Sequence, residues 1–193
     1  MAAGPKILVL AGSVRKASFN RRLASLAAHA ARAAGGDVTH LDLADYPLPL
    51  MNEDLQAEQG VPKPAQALKK LFAEQDGLLL ACPEYNSGIT PLLKNVIDWV
   101  SRKEGDEQPL VAYRGKVVGL MSASPSPFGG MRGLVQVRSI LGNIGVLVLA
   151  DQVQVPKAHE AFQPDGTLKD AALAGRVTSL AQSVVTIAGK LTG

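Results

Sequence analysis

Four short runs, KILVLA (Lys6–Ala11), GLLLAC (Gly77–Cys82), KVVGLMSA (Lys116–Ala123) and VLVLAD (Val146–Asp151), are apolar at nearly every position rather than at alternate ones. A strand with one wet face alternates, whereas a run that does not is buried on both faces, as in a parallel sheet covered by helices. DVTHLDL (Asp37–Leu43) is a fifth, more polar strand candidate. Helical patterns separate these runs at Asn20–Ala34, Pro64–Gln75, Pro91–Arg102, Gly130–Leu141 and Leu168–Leu191. Strands alternating with helices predict an α/β doubly wound fold.

Five strands in 193 residues predict one domain spanning residues 1–193, with the flavodoxin-like strand order 2-1-3-4-5. Two irregular connections interrupt the pattern: Tyr46–Pro64, rich in prolines and carboxylates, and the charged stretch Ser101–Arg114. The longest apolar runs fall short of a membrane span, and MAAGPK has no signal-peptide pattern. Cys82 is the only cysteine, which excludes an intramolecular disulfide and fits a reducing cytoplasm. His29, His40 and His159 have no metal-ligand spacing, so no metal site is expected. The net charge of +3 is scattered, and aromatics at 4% are not interleaved with the basic residues. Neither nucleic acid nor a membrane is therefore an expected partner, although a local anion site is compatible with this balance.

In an open parallel sheet, ligands bind beyond the carboxyl ends of the strands, where strand order reverses. GSVRKASFN follows the first strand, PEYNSGITP the third and SASPSPFGGMR the fourth, all on that edge. In the first loop, Ser13, Arg15, Ser18 and Asn20 offer hydroxyl, guanidinium and amide donors beside a helix N-terminus, a combination suited to an anion. The same residues also fit an ordinary turn, with Ser18 or Asn20 as the helix cap. Neither a P-loop nor a GxGxxG pattern occurs in the chain. The second loop offers an aromatic face and backbone donors, and Thr90 followed by Pro91 reads as the start of the next helix. Trp99 reads as packing or an oligomer contact, and Cys82 as a small buried apolar residue.

GSVRKASFN together with PEYNSGITPLLKNVIDWVSR resembles the NADPH-dependent FMN reductase family, especially its quinone and chromate reductase branch. The resemblance extends through EDLQAEQGVPKPAQALKK, the GGMRGLVQVRSILGNIGVLVLADQVQVP segment and EAFQPDGTLKD. It implies that Ser13, Arg15, Ser18 and Asn20 hold the FMN phosphate, assisted by the backbone N–H of Phe19. It further implies that Pro83, Glu84, Tyr85 and Asn86 line the ribityl chain and the isoalloxazine, and that Ser124 approaches the flavin from the third loop. The family often has glycine or tyrosine directly after PEYN, where this chain has Ser87 and Gly88.

The function so implied is an oxidoreductase that takes hydride from NADPH or NADH onto bound FMN. By ping-pong turnover it then reduces a quinone, azo compound, chromate or free flavin. The flavin carries the chemistry, which accounts for the lack of a catalytic triad or paired-carboxylate motif; no catalytic side chain is expected. Two further readings are an electron-carrier flavodoxin and a nonenzymatic module on the same fold. A third is a reductase that releases reduced flavin to a monooxygenase. Flavodoxins are generally acidic with a threonine-rich phosphate loop, whereas this chain is basic with Arg15 there. The resemblance also implies a homodimer or homotetramer, with Trp99 and Ser101–Arg114 as candidate contacts. Arg15, Lys16 and Arg132 are the basic candidates for preferring NADPH.

Overall fold

The computed structural model describes residues 4–192. Along the chain run β1 (Lys6–Ala11), α1 (Phe19–Ala33), β2 (Asp37–Leu41), a single 3-10 turn (Leu43–Asp45), α2 (Glu53–Gln59) and α3 (Lys63–Ala73). Next come β3 (Gly77–Ala81), β4 (Glu84–Tyr85), β5 (Gly88–Ile89), α4 (Pro91–Val100) and β6 (Val117–Ala123). The chain ends with α5 (Met131–Asn143), β7 (Leu147–Val155), α6 (Ala158–Ala161) and α7 (Ala171–Thr192). Five strands form a parallel sheet in the order β2-β1-β3-β6-β7, while β4 and β5 pair only with each other. With that small hairpin set aside, the order is the expected 2-1-3-4-5.

The alternation hidden inside the apolar runs is a division between two cores. In β1, Ile7 and Val9 face a core shared with Leu23, Ala24 and Ala27 of α1 and Leu180 and Val184 of α7. Leu8 and Leu10 face the other, built with Leu68 of α3, Leu93, Val96 and Ile97 of α4, and Leu134 and Val137 of α5. Every β1 residue from Ile7 to Ala11 is buried, because each side of the sheet carries its own layer of helices. α7 is long and apolar enough to cross a membrane. Its Val177, Leu180, Ala181, Val184, Val185 and Ala188 are instead buried within the fold.

Several boundaries differ from the sequence expectation. Tyr46–Pro64 contains α2, whose seven residues include none that is buried, so no apolar stripe marked it. Asn52 caps it by accepting the N–H of Asp54 at 2.8 Å. β7 runs on to Val155 because its second half, DQVQV, belongs to an edge strand with an alternating burial pattern. α7 begins at Ala171 instead of Leu168: the Asp170 carboxylate accepts the N–H groups of Ala172 and Leu173 at 2.8 and 3.1 Å, while Leu168 bridges to Phe162.

The two irregular connections are fastened by buried polar groups. Trp99 is fully buried against Val61 and Ala65, and its indole N–H donates to the Pro49 carbonyl at 2.8 Å. This corrects the expectation of Trp99 as an oligomer contact: it fixes the Tyr46–Pro64 connection to α4 within one chain. Lys69 of α3, its side chain only 6% exposed, donates to Glu104 at 2.8 Å and Glu107 at 2.5 Å. That pair of bonds ties Ser101–Arg114 down, and the bond from Lys69 holds the Glu107 carboxyl below its usual range.

Candidate functional site

β1 connects leftward to β2 and β3 connects rightward to β6, so strand order reverses between β1 and β3. The loops after β1, β3 and β6 all open at the carboxyl edge of this switch point. Gly12 keeps the first two in contact: a Cβ there would lie 3.0 Å from Leu93 and 3.2 Å from Pro83. The Thr90 hydroxyl donates to the Gly12 carbonyl at 3.2 Å and accepts the N–H of Leu93 at 3.4 Å, capping α4 while joining the second loop to the first.

The first loop leaves much of its donor capacity open. Ser18 is the N-cap of α1 in extended conformation, its hydroxyl accepting the Arg21 N–H at 3.4 Å. Ser13 accepts the Arg15 N–H at 3.3 Å. Among the described residues, the backbone N–H groups of Lys16, Ala17, Phe19 and Asn20 make no hydrogen bond within the chain. The exposed Arg15 guanidinium has no carboxylate partner among the described residues and lies 5.9 Å from the Phe19 ring centre. Phe19 itself stacks on Phe162 at 6.1 Å.

Asn20 behaves differently from the other candidates in this loop. It is 4% exposed, and its carboxamide donates to the Ala123 carbonyl at 2.8 Å and accepts the Ala123 N–H at 2.9 Å. The side chain expected at a phosphate is thus turned toward the end of β6. Only its main-chain N–H remains at the helix N-terminus.

The second loop is a tight hairpin. Asn86 and Ser87 have φ of 51° and 65°, both left-handed, as a two-residue type I′ turn requires. Glu84, Ser87 and Ile89 tie it to α5. The Glu84 carboxylate accepts the Gly133 N–H at 2.7 Å, near the start of that helix. Arg132 donates to the Ser87 hydroxyl at 3.2 Å, and Gln136 accepts the Ile89 N–H at 3.2 Å. Arg132 also lies over the Phe128 ring at 4.5 Å, so this donor-preference candidate is engaged at the rim. Pro83 is buried, and Tyr85 stands 59% exposed.

The third loop begins at Ser124, half-buried, whose hydroxyl accepts the Ser126 N–H at 3.2 Å. Gly130 caps α5 at φ 86°, and a Cβ there would sit 2.0 Å from the Ser122 hydroxyl. Glycine is therefore required at 130 on two counts. Cys82 is buried, and burial pushes its thiol far above the usual range, which leaves it without nucleophilic character.

Between the first loop and the hairpin lies an open cleft of about 280 Å³, lined by Gly12, Ser13, Arg15, Tyr85, Thr90 and Leu92. On the other side of the first loop, a second cleft of about 360 Å³ meets Ser13, Lys16, Ser18, Arg22, His40 and Asp42. Asp42 is paired there with Arg21. The His40 imidazole is held below its usual pKa, first by burial and then by Arg32, His29 and Arg21. Lys16, Arg21 and Arg22 thus outnumber the Asp42 carboxylate around this cleft.

Residues 5–160 match the family model described as NADPH-dependent FMN reductase. An NAD(P)H:quinone oxidoreductase of Solanum tuberosum is 34% identical over all of this chain and 98% of its own length. An NAD(P)H-dependent FMN reductase of Pseudomonas aeruginosa is 35% identical over 86% of this chain and 85% of its own. Among solved structures, the flavoenzyme NAD(P)H:(acceptor) oxidoreductase FerB of Paracoccus denitrificans superposes with a TM-score of 0.80 at 26% identity, covering 96% of this chain and 98% of its own. An archaeal flavodoxin at 8% identity and a TM-score of 0.62 shares the fold alone. On the family match and these relatives, the chain is an oxidoreductase belonging to the NADPH-dependent FMN reductase family.

Proposed function

We propose that residues 1–193 act as one unit that binds FMN across the β1/β3 switch point and uses NAD(P)H to reduce quinones. The observation that carries this reading is the first loop. Its free N–H groups at Phe19 and Asn20, the hydroxyls of Ser13 and Ser18 and the unpaired Arg15 form a donor set without a carboxylate. Such a set fits a phosphate dianion at a helix N-terminus. The adjoining cleft, walled by Gly12, Tyr85 and Thr90, takes the ribityl chain and ring, and the family resemblance adds Pro83, Glu84, Asn86 and Ser124 as further contacts.

When bound, FMN supplies the redox chemistry, accepting hydride from the donor and passing electrons to the acceptor. The protein's part is to bind and orient. Arg15 and the Ser18 cap fix the phosphate end. The Glu84 carboxylate, held on the Gly133 N–H, fixes the hairpin. An open cleft admits donor and acceptor in turn, which supports ping-pong turnover and a broad acceptor range including azo compounds, chromate and free flavin. The positive edge favours NADPH, whose 2′-phosphate adds charge, over NADH.

Tyr85 (59%), Phe128 (48%) and Met131 (44%) leave apolar surface exposed at the rim. We assign its covering to a second copy of the chain, giving a homodimer or homotetramer, and place the protein in the cytoplasm. The test is purification followed by a visible spectrum and steady-state NADPH oxidation with a quinone. Stoichiometric flavin and rapid turnover are expected. A protein that neither carries nor binds added FMN overturns the reading, and flavin without quinone turnover reduces it to an electron carrier. Light scattering that shows only monomer at full activity removes the oligomer.

A further inference from the structure

We infer that Asn20 is a positioning residue: its carboxamide replaces a missing strand peptide at the end of β6 and holds the Ser124 loop in register with the phosphate end of α1. The proposal rests on the reading above, in which Arg15 faces the phosphate and Ser124 the ring.

In a parallel ladder, alternate residues of a strand bond to opposite neighbours. The Ser124 N–H donates to Val155 of β7 at 3.1 Å, so Ala123 points its polar groups the other way, toward β3. There the Cys82 N–H donates to the Met121 carbonyl at 2.7 Å, and the next rung would run from the Ala123 N–H to the Cys82 carbonyl. The chain turns away at Pro83 to form the hairpin, which opens the crevice and leaves Ala123 without a strand beside it. Asn20 supplies both missing partners, at 2.8 and 2.9 Å, from 103 residues away. A carboxamide is the one neutral side chain with the donor and acceptor of a peptide group, and here it is used as one.

The consequence for the cofactor is a fixed span. Asn20 is the second residue of α1, directly after Phe19 and two after the Ser18 cap, while Ala123 immediately precedes Ser124. The same brace therefore sets where the phosphate donors stand relative to the loop that approaches the ring. Loosening it changes ring contact without removing a phosphate ligand.

The experiment compares FMN with riboflavin, which lacks the phosphate, by flavin-fluorescence titration of the full chain. The variants are Asn20→Ala, Ser124→Ala, their combination and Arg15→Ala. Loss of two neutral hydrogen bonds in Asn20→Ala is expected to weaken FMN and riboflavin by a common factor, on the order of tenfold, with their ratio unchanged. Ser124→Ala is expected to have a smaller effect in the Asn20→Ala background than in the wild type. A fall in the FMN-to-riboflavin ratio would make the carboxamide a phosphate ligand and overturn the proposal. So would unchanged affinities in a folded variant, or a Ser124→Ala effect equal in both backgrounds. Arg15→Ala is the separate control: if it leaves the ratio unchanged, the phosphate assignment fails while the Asn20–Ser124 coupling is still decided. If circular dichroism shows Asn20→Ala unfolded, Asn20→Asp keeps the acceptor for the Ala123 N–H and loses the donor. It is measured with riboflavin, which has no phosphate to repel the new charge, and unchanged binding there overturns the proposal.

Discussion

The first loop and the hairpin flank the same cleft but are built on opposite plans. In the loop Gly12–Asn20, a guanidinium and several backbone N–H groups have no hydrogen-bond partner among the described residues. In the hairpin, Glu84, Ser87 and Ile89 are each bonded to α5, and even the turn conformation is dictated by two left-handed residues. Open donors beside a guanidinium make a region that waits for a charged group; side chains anchored on a helix make a wall of fixed shape. The cleft thus has one side that recognises by charge and another that recognises by fit.

The largest expected effect breaks the charged side. Arg15→Ala should lower the FMN-to-riboflavin affinity ratio about a hundredfold, since hydrogen bonds to charged groups contribute roughly 1.5–3 kcal/mol each and two are at stake. Paired flavin titrations read it, and an unchanged ratio would show that the loop is an ordinary turn. Removing the hairpin's anchor should behave in the opposite sense. Glu84→Ala takes a carboxylate from the N-terminal turn of α5, with an expected stability loss of about 1–2 kcal/mol by urea unfolding. Both flavins should weaken together; a selective loss of FMN would contradict the division of labour.

Smaller changes sharpen the contrast. Ser87→Gly relieves a left-handed serine while removing only a rim hydrogen bond, so a net gain of about 0.5 kcal/mol is expected. Thermal unfolding checks the sign, and a lower melting temperature would mean that the Arg132–Ser87 bond outweighs the strain. The least effect belongs to the positive field near the first loop. His40 has a lowered folded-state pKa, with burial the first cause, so the unfolded chain takes up a proton before the folded one does. Stability is accordingly lost as pH falls from 6.5 toward the folded value, and the loss levels off below it. His40→Gln should flatten that part of the pH–stability curve; an identical slope would place the titrating group elsewhere.

How legible each region was in the sequence follows from the same contrast. The strand runs were plain because both faces of the sheet are covered, so apolarity is continuous in KILVLA and GLLLA. The donor-rich first loop was equally plain, because its residues lie within nine positions of one another. Thr90 and Pro91 marked the start of α4 through local chemistry. The β4–β5 hairpin left no comparable signature, since strands of two residues carry no periodicity. The actual partners of Glu84 and Asn20 lie 49 and 103 residues away and become neighbours only when the sheet forms. A side chain's residue type announced that it could bond; only the topology decided with what. Trp99 is the same case, its indole meeting a carbonyl 50 residues back in the chain.

The buried Lys69 ammonium has a consequence for how the chain meets proteases. Ser101–Arg114 carries Arg102, Lys103 and Arg114, three trypsin sites in a stretch without regular structure, closed onto α3 through Glu104 and Glu107. Cleavage there requires the segment to open, and opening it would carry Glu104 and Glu107 away and leave the ammonium of Lys69, whose side chain is 6% exposed, without a counter-charge. The segment should therefore be cut late and as a unit under native conditions, and Lys69→Met should make it the first place that trypsin enters.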